Sequence, residues 1–364
     1  MRILFVGGGT LGSVSPLIAI FEDLQKSDAR VECLWVGTKN GPERAFIAGY
    51  NITYRAIPAG KLRRYFSFKN FADILFVFQG FCKSVLILIN FRPDIIIGAG
   101  SFVQVPILLA AKCFFRKTKI IIHQQDITPG LANRLSAKWA HVITVSTEQS
   151  LNHFQRTKSV FTGNPYRKEI AKGDISRAFD IFKLEPKIPT ILVLGGGSGA
   201  VAINKLLTRA IPKLAIFCQI IHLTGTNKED GAPKNISRYH AYEFLTSFLK
   251  DAYAVADLVI SRAGFATITE LAALAKPSII IPIPDTHQEE NALWLSKNRA
   301  AVIMPQKTLT PNKLSKGVRE IIENKEESFR LSSNISTILP KDSNEKFLQV
   351  MIATLEHGIR VKKW

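Results

Sequence analysis

At 364 residues the chain is long for a single hydrophobic core, and two domains are expected. Its 46% apolar and 21% charged residues exclude a disordered chain, and four scattered cysteines without CxxC spacing (Cys33, Cys82, Cys113 and Cys218) argue against a disulfide framework and a structural zinc site, fitting a reducing cytosol. A net charge of +19 calls for polyanionic partners, but no RNA-binding or helix-turn-helix signature accompanies it, so a nucleotide or an anionic membrane is expected rather than nucleic acid.

The amino terminus, MRILFVGGG, carries one early cation before a short apolar run that stops at glycine. It reads as a first strand, Arg2–Val6, and not as a signal peptide. In Ser15–Lys26, Leu17, Ile18, Ile20, Phe21 and Leu24 share one face at helical spacing. Ser15 is expected to cap that helix, and Pro16 suits its first turn, where an N–H has no partner to lose. Strands are expected at 31–36, 94–98, 119–122 and 141–145. The most apolar long stretch, 72–91, is interrupted by Asp73, Gln79, Lys83 and Asn90. A spanning helix needs about 20 predominantly apolar residues, so a buried or surface-attached helix is expected there. Strand runs alternating with helical patterns indicate βαβ units and an α/β fold with parallel sheets.

The pattern restarts at Thr190–Leu194, which runs into Gly195-Gly196-Gly197-Ser198-Gly199-Ala200 and a helix. This echoes the opening strand and Gly7-Gly8-Gly9-Thr10-Leu11-Gly12. Two glycine-rich strand-to-helix turns, each opening a βα series, indicate two Rossmann-like domains. Their join is expected near the turn Gly163-Asn164-Pro165, with the basic stretch 166–172 leading onward.

Ligands of open α/β sheets collect where strands end and helices begin. Residues 195–200 are a candidate diphosphate cradle, because glycine lets backbone N–H groups approach a phosphate; a tight turn needed only for packing is the alternative. No Gly-Lys-Ser/Thr follows either loop, and no clear acidic ribose partner follows the second strand, which leaves a nucleotide triphosphatase and a nicotinamide dehydrogenase poorly supported. A third such turn, from Ser261 to Glu270, places Glu270 where its carboxylate can grip vicinal ribose hydroxyls or simply favour the helix dipole. A fourth loop, Pro284 to Asn291, gathers amides and carboxylates suited to sugar hydroxyls. His141, His153, His240 and His357 fall in no constellation and are expected as ordinary surface or packing residues.

Taken together these segments resemble the MurG family of N-acetylglucosaminyltransferases, which convert lipid I to lipid II in peptidoglycan synthesis and so serve the cell wall, cell shape and cell division. The pieces are Gly7-Gly8-Gly9-Thr10, Gly98-Ala99-Gly100-Ser101, His123-Gln124-Gln125-Asp126, Gly130-Leu131-Ala132-Asn133-Arg134 and Thr162-Gly163-Asn164-Pro165 with Arg167. They continue with the second glycine loop and Asn204, His222-Leu223-Thr224-Gly225, Ala256-Asp257 through Arg262-Ala263-Gly264, Glu270, His287-Gln288 and Asn291-Ala292. Each is short; their weight lies in recurring in order along nearly the whole chain.

The resemblance implies a GT-B fold, two Rossmann-like parallel-sheet domains facing a cleft. Residues 1–163 would form the acceptor and membrane domain, with 343–364 packing back on it by fold analogy, and 164–342 the UDP-sugar-binding domain. It implies an inverting transfer from UDP-GlcNAc to a lipid-linked acceptor, with no metal or other cofactor. Donor contacts carry over to Thr10, Leu11 and Gly12, to Arg167, Gly197 and Ser198 at the diphosphate, and to Phe265, Ala266, Thr267, Ile268 and Thr269 around phosphate and ribose. Glu270 takes the ribose role, Gln288 and Asn291 the sugar, and Leu245 and Thr246 the uracil. Without a metal, helix N-termini and an arginine must carry the leaving charge.

This chain departs from the family pattern at the acceptor-side loops. The first loop of the family ends Thr-Gly-Gly-His, and here reads Thr10-Leu11-Gly12-Ser13; serine is no useful base at neutral pH without help. The family's His-Glu-Gln-Asn is His123-Gln124-Gln125-Asp126. Asp126 is therefore expected as the base that deprotonates the acceptor hydroxyl, with His123 orienting the loop; the alternative is that Asp126 caps the turn leading to Pro129-Gly130. In the second loop the family hydroxyl has moved one place to Ser198, and Ala263 stands where the family has serine.

Two segments mix cations with aromatics: Arg63-Arg64-Tyr65-Phe66 with Phe68, and Phe114-Phe115-Arg116-Lys117. Aromatics at headgroup level and cations against anionic lipid hold a monotopic protein reversibly; partial burial of the rings is the alternative. With the lipid-linked acceptor, this implies a peripheral protein at the cytoplasmic face of the bacterial cell membrane, meeting the anionic inner leaflet and other cell-wall synthesis proteins. A GT-B transferase with another lipid acceptor, such as a diacylglycerol, and a donor-binding relative that has lost catalysis are the competing readings.

Overall fold

The structure is a computed structural model that describes residues 1–27, 30–60, 69–195, 200–225, 228 and 236–357, with side chains in the helix from Lys69 described from Phe76 onward. The chain divides into two compact units, Met1–Arg167 together with the segment from Pro340, and Lys168–Leu339.

The first unit carries a seven-stranded sheet. Its strands are β1 (Arg2–Val6), β2 (Glu32–Gly37), β3 (Thr53–Ala56), β4 (Ile95–Gly98), β5 (Lys119–Gln124), β6 (Val142–Val145) and β7 (Ser159–Phe161). They lie in the order β3-β2-β1-β4-β5-β6-β7, every pairing parallel. The second unit carries β8 (Thr190–Leu194), β9 (Gln219–Leu223), β10 (Tyr239–Tyr242), β11 (Leu258–Ser261), β12 (Ser278–Ile280) and β13 (Val302–Ile303), ordered β10-β9-β8-β11-β12-β13 and again all parallel. Strand order reverses between β1 and β4 and between β8 and β11, which makes those two points the places where each sheet opens to a ligand.

Near-continuous burial of the strands follows from helices covering both faces. Alternate residues of β1 point to opposite sides. Ile3 and Phe5 join Trp35, Ile95, Ile97 and the apolar stripe of the Ser15–Lys26 helix. Leu4 and Val6 join Val36, Ile96 and Ile122 beneath Leu88, Ile107 and Leu108 on the other side. In the second unit Ile191, Val193, Leu258, Ile260 and Ile279 pack against Leu207, Ile211 and Val318. The duplication extends to the lower edge of each sheet. Asp94 accepts the Arg2 N–H at 2.7 Å, and Asp257 accepts the Thr190 N–H at the same distance, so each central strand is pinned by an aspartate one residue before its neighbour.

The elements Arg2–Val6, Ser15–Lys26 and Thr190–Leu194 stand at the boundaries expected, but Ser15 is not the cap. Val14 occupies that position without a side-chain hydrogen bond, because the tight turn from Leu11 brings the chain into the helix one residue early; Pro16 sits in the first turn as expected. The apolar stretch after residue 68 forms the helix Lys69–Phe91, and no described helix is long and apolar enough to cross a membrane.

From Pro340 the chain rejoins the first unit. Gly163, at φ +78°, lies where an added Cβ would stand 2.9 Å from the Pro340 ring and would also strike the Ser343 hydroxyl, so only glycine admits the returning segment. Asn344 then pairs with the Tyr166 backbone, accepting its N–H at 3.0 Å and donating to its carbonyl at 3.1 Å. Phe347 and Met351 of the Ser343–His357 helix are buried in the core beside Ile3 and Phe5.

Candidate active site

At the carboxyl end of β1 the chain turns through three glycines against a buried acid. Glu43, fully buried in the first turn of the Pro42–Ala48 helix, accepts the Gly9 N–H at 3.1 Å, the Thr38 N–H at 2.7 Å and the Thr38 hydroxyl. A Cβ on Gly8 would stand 2.5 Å from its carboxylate, and Gly9, at φ +83°, would drive a Cβ into the Phe102 ring. The same carboxylate, after burial, pushes the Tyr54 phenol above its ordinary pKa. Sequence reading had not singled out Glu43. The available signal was an acid directly after Gly41-Pro42 in the first turn of a helix following a strand.

Of the loop residues expected to touch the donor, Thr10 and Gly12 are exposed and Leu11 is half-buried. Ser13 is buried, and its hydroxyl turns back to donate to the Thr10 carbonyl at 3.4 Å.

A buried network links this loop to the ends of β4 and β5. Ser101 donates to the Gly8 carbonyl at 2.9 Å, and the Gln104 amide oxygen accepts the Gly100 N–H at 2.9 Å. The Gln104 amide nitrogen donates to Asn133 at 2.8 Å and to Ser136 at 3.0 Å. Asn133 in turn donates to the His123 carbonyl and to the Gln124 side chain, which donates to the Asp126 carbonyl at 2.7 Å. The Asp126 backbone is thus fixed while its side chain is half-buried. Gln124 and Gln125 are buried within this lattice, so they shape the loop rather than present themselves to a ligand.

His123 is fully buried, its Nε2 2.8 Å from Asn164 Oδ1 and its Nδ1 2.8 Å from the Thr144 hydroxyl. Since the amide oxygen only accepts, the Nε2 carries the proton and the Thr144 hydroxyl donates to Nδ1. Burial pushes the ring's pKa down to about 4, the Asn164 hydrogen bond opposing it weakly. A buried neutral ring with both nitrogens engaged is a positioning group; it fixes β5 against β6 and the 162–164 turn.

His222 on β9 repeats the device in the second unit, between Asn204 at 3.1 Å and the Tyr239 hydroxyl at 2.7 Å, and burial lowers it to about 4 as well. These shifts carry a pH dependence. Between about pH 4 and 6.5 the unfolded chain binds protons that the native rings refuse, so stability rises with pH across that window and is lost as pH falls. The expected loss approaches about 3 kcal/mol per histidine at the acid end, read from denaturant unfolding at a series of pH values. A profile flat from about pH 7 to about pH 5 would contradict this assignment.

In the second unit, Gly197 and Ser198 lie outside the described residues. Asn204, in the helix that follows, donates to the carbonyls of Thr224 at 2.9 Å and Lys228 at 3.1 Å. At the end of β11 the turn Ser261-Arg262-Ala263-Gly264 leads into the Phe265–Ala273 helix. Arg262 is buried; its guanidinium donates to the Ile281 carbonyl at 3.0 Å and to Gln306 at 2.7 Å, tying this turn to the one after β12. Open space surrounds the position a Gly264 Cβ would take, at the head of the helix. Ala266 and Thr267 are half-buried there, while Phe265, Ile268 and Thr269 are buried, Thr269 donating back to the Phe265 carbonyl at 2.8 Å.

Glu270 lies one turn further, 8% exposed, and accepts the Tyr253 phenol at 3.0 Å. Asn291 is fully buried and donates to the Ala263 carbonyl at 3.0 Å, which brings the Thr286-capped His287–Lys297 helix against the same turn. Gln288, half-buried, accepts the Ile283 N–H at 3.2 Å. Leu245 is buried and Thr246 exposed on the segment after β10, flanked by the exposed rings of Phe244 and Phe248. The structure therefore gathers Phe265, Ala266, Thr267, Glu270 and Asn291 around one turn. It places Arg167 in the first unit, half-buried over the Phe46 ring and hydrogen-bonded with Tyr50. Tyr253, the partner of Glu270, was missed by sequence reading, since nothing local marks a tyrosine 17 residues upstream.

Among the residues expected at a membrane, Arg63, Arg64, Tyr65, Phe66 and Phe68 lie outside the described residues. Phe114 is 63% exposed, Arg116 and Lys117 are exposed, and Phe115 is half-buried.

Two switch-point loop sets of this kind are shared by several enzyme classes. The fold matches that of Acinetobacter baumannii MurG at TM-score 0.70 and 23% identity, over 96% of this chain and 99% of that one. It also matches a UDP-GlcNAc 2-epimerase from Neisseria meningitidis at TM-score 0.67 and 13% identity, over 97% of this chain and all of that one. Fold alone thus leaves transferase and epimerase undivided, and sequence divides them. The glycosyltransferase family 28 N-terminal domain matches residues 3–145, and the family 28 C-terminal domain matches 190–347. The UDP-N-acetylglucosamine–N-acetylmuramyl-(pentapeptide) pyrophosphoryl-undecaprenol N-acetylglucosamine transferase of Lachnoclostridium phytofermentans is 35% identical over 337 residues, 92% of this chain and 94% of that protein. With both domain types present and such identity sustained across both units, the chain is a glycosyltransferase of family 28 and belongs to the MurG family.

Proposed function

We propose that the protein transfers N-acetylglucosamine from UDP-GlcNAc to undecaprenyl-diphosphate-linked N-acetylmuramyl-pentapeptide, converting lipid I to lipid II. The observation that carries this reading is full-length similarity to transferases named for that reaction. In the displacement, the acceptor oxygen bonds to the anomeric carbon as its bond to the diphosphate breaks, inverting that carbon; UDP leaves and the hydroxyl proton passes to a base. We read it as metal-independent, with the N–H groups at the head of the Phe265–Ala273 helix taking the leaving charge, and with Gly197, Ser198 and Arg167 carried over from the family pattern as further diphosphate contacts. Glu270 holds the ribose, Gln288 and Asn291 the sugar, and Leu245 and Thr246 the uracil. The second unit is the donor domain and the first the acceptor domain. The direct test is transfer of labelled GlcNAc into solvent-extractable lipid I analogue; label found only in free sugar would overturn it.

We assign the base to Asp126, with Ser13 and His123 shaping its surroundings. Ser13 has its hydroxyl folded into its own turn and His123 is buried, whereas Asp126 keeps a half-buried carboxylate on a loop whose backbone is pinned. Asp126→Asn is expected to lower kcat on the order of 100-fold or more with little change in donor KM. Normal turnover of that variant under saturating substrates would return Asp126 to the role of a turn residue.

We further propose that the protein is held peripherally at the cytoplasmic face of the cell membrane, where its acceptor resides and where other cell-wall synthesis proteins would meet it. Phe78, Cys82, Leu86 and Ile89 recur at helical spacing along an exposed stripe of the Lys69–Phe91 helix, and Phe114 stands beside it with its ring 6.1 Å from Phe81. An apolar stripe edged by Lys83, Arg116 and Lys117 suits a headgroup interface better than bulk water.

A further inference from the structure

β11, β12 and β13 lie side by side in the second sheet, and the turns that follow them meet at one buried guanidinium. Arg262, 8% exposed, leaves the turn after β11. Its Nη1 donates to the carbonyl of Ile281 at 3.0 Å and to that of Pro282 at 3.4 Å, in the turn after β12. Its Nη2 donates to the Gln306 amide oxygen at 2.7 Å, in the short turn Gln306–Thr308 after β13. Among the described residues Gln306 is the one side chain that binds this guanidinium, and no carboxylate pairs with it.

The two amides assigned above to the sugar hang from these turns. Ile283, the residue after Pro282, donates its N–H to the Gln288 amide oxygen at 3.2 Å. Ala263, the residue after Arg262, accepts from the Asn291 amide at 3.0 Å. With its oxygen committed to Ile283, Gln288 has its amide nitrogen to offer a ligand. A guanidinium is a planar fork whose donors point in fixed directions, so loss of the acceptor on Nη2 lets the plane turn and draws Nη1 off the 281–282 carbonyls. The N–H groups at the head of the Phe265–Ala273 helix belong to that helix and do not depend on the fork. Lys307 gives the Gln306–Thr308 turn a second link to the same loop, pairing with Asp285 at 3.0 Å. At 65% and 81% side-chain exposure that pair contributes little.

We infer that Gln306 is a positioning residue that sets donor specificity: acting through Arg262, it fixes the placement of Gln288 and Asn291 and so governs affinity for the N-acetylglucosaminyl group over affinity for the UDP moiety. The inference rests on the donor reading of the second unit proposed above. Gln306 touches no substrate in this role. A residue that only completed the buried hydrogen-bond set would change stability and leave the sugar's share of the affinity unmoved.

The test is calorimetric titration of the full chain with UDP and with UDP-GlcNAc, alongside urea unfolding. Gln306→Met keeps the length of the side chain and removes the acceptor. It is expected to weaken UDP-GlcNAc by about fivefold or more, the effect of one lost hydrogen bond, with UDP held within about twofold. Gln306→Glu supplies Nη2 with an acceptor again, and the ratio of the two affinities is expected to return to that of the unsubstituted protein, whatever the added charge does to both ligands together. Lys307→Gln, which breaks the exposed pair, is expected to leave the ratio unmoved. Gln306→Asn, with the amide drawn back by one methylene, makes the same comparison should the methionine variant not fold. A ratio unchanged by removing or withdrawing the acceptor overturns the inference, even where the urea midpoint falls, and so does a ratio lost equally in Gln306→Glu. Unsubstituted protein that binds no UDP-GlcNAc overturns the donor reading and this inference with it, whereas donor binding with a ratio indifferent to residue 306 overturns the inference alone.

Discussion

Glu270→Gln is expected to raise the KM for UDP-GlcNAc on the order of 10- to 100-fold, with a smaller change in kcat. Glu270 is 8% exposed and its carboxylate is aimed by the Tyr253 phenol at 3.0 Å, so in the proposed ribose role it would meet vicinal hydroxyls already oriented and largely desolvated. A charge-assisted hydrogen bond in such a place contributes about 1.5–3 kcal/mol, the source of that range. A ribose contact in the proposed role would be made alike before and during the displacement, so the loss is expected on binding rather than on the chemical step. Tyr253→Phe is expected to act in the same direction but severalfold at most, since it removes the orienting phenol and leaves the charge. A Glu270→Gln protein with unchanged donor KM and lowered unfolding midpoint would assign the carboxylate to the helix alone.

Phe347→Ala is expected to destabilise the first unit by about 3–5 kcal/mol, the usual range for emptying a fully buried phenylalanine site. The ring is 1% exposed, meets the His123 imidazole edge-on at 5.7 Å and shares a core with Ile3, Phe5 and Leu17. Its loss frees the returning helix where that helix also supports the strand end carrying Gln124. Activity at moderate temperature is therefore expected to fall with stability. Phe329→Ala, at a site 74% exposed, provides the control and is expected to stay within about 0.5 kcal/mol. Equal shifts of the urea midpoint in the two variants would contradict the docking of the last helix.

What the sequence made legible was periodic or punctuated. Runs such as Arg2–Val6 and Thr190–Leu194 are apolar at every position after their first residue, and each is closed by glycine, so both strand and switch-point loop could be read directly. The aspartates that pin those two strands could not, because Asp94 lies 92 residues from Arg2 and Asp257 lies 67 from Thr190. Glu43 was hidden in the same way: its role exists only once β1 and β2 lie side by side. Ser15 is not the cap because capping preference is local, whereas the turn from Leu11 to Val14 sets where the helix begins. Motif residues were visible as a set, but not their division of labour. Asn291 and Ser13 spend hydrogen bonds on backbone carbonyls, and His123 spends both ring nitrogens on its neighbours, facts that depend on burial and not on spacing.

The measurement that bears most directly on the assigned reaction is UDP release from UDP-GlcNAc, followed with a short-chain lipid I analogue, with a diacylglycerol, and with no acceptor. Release that depends on the lipid I analogue is the predicted result. Release with the diacylglycerol alone, or tight donor binding with no release on any acceptor, would contradict it, the first pointing to another lipid acceptor and the second to a donor-binding protein that has lost catalysis.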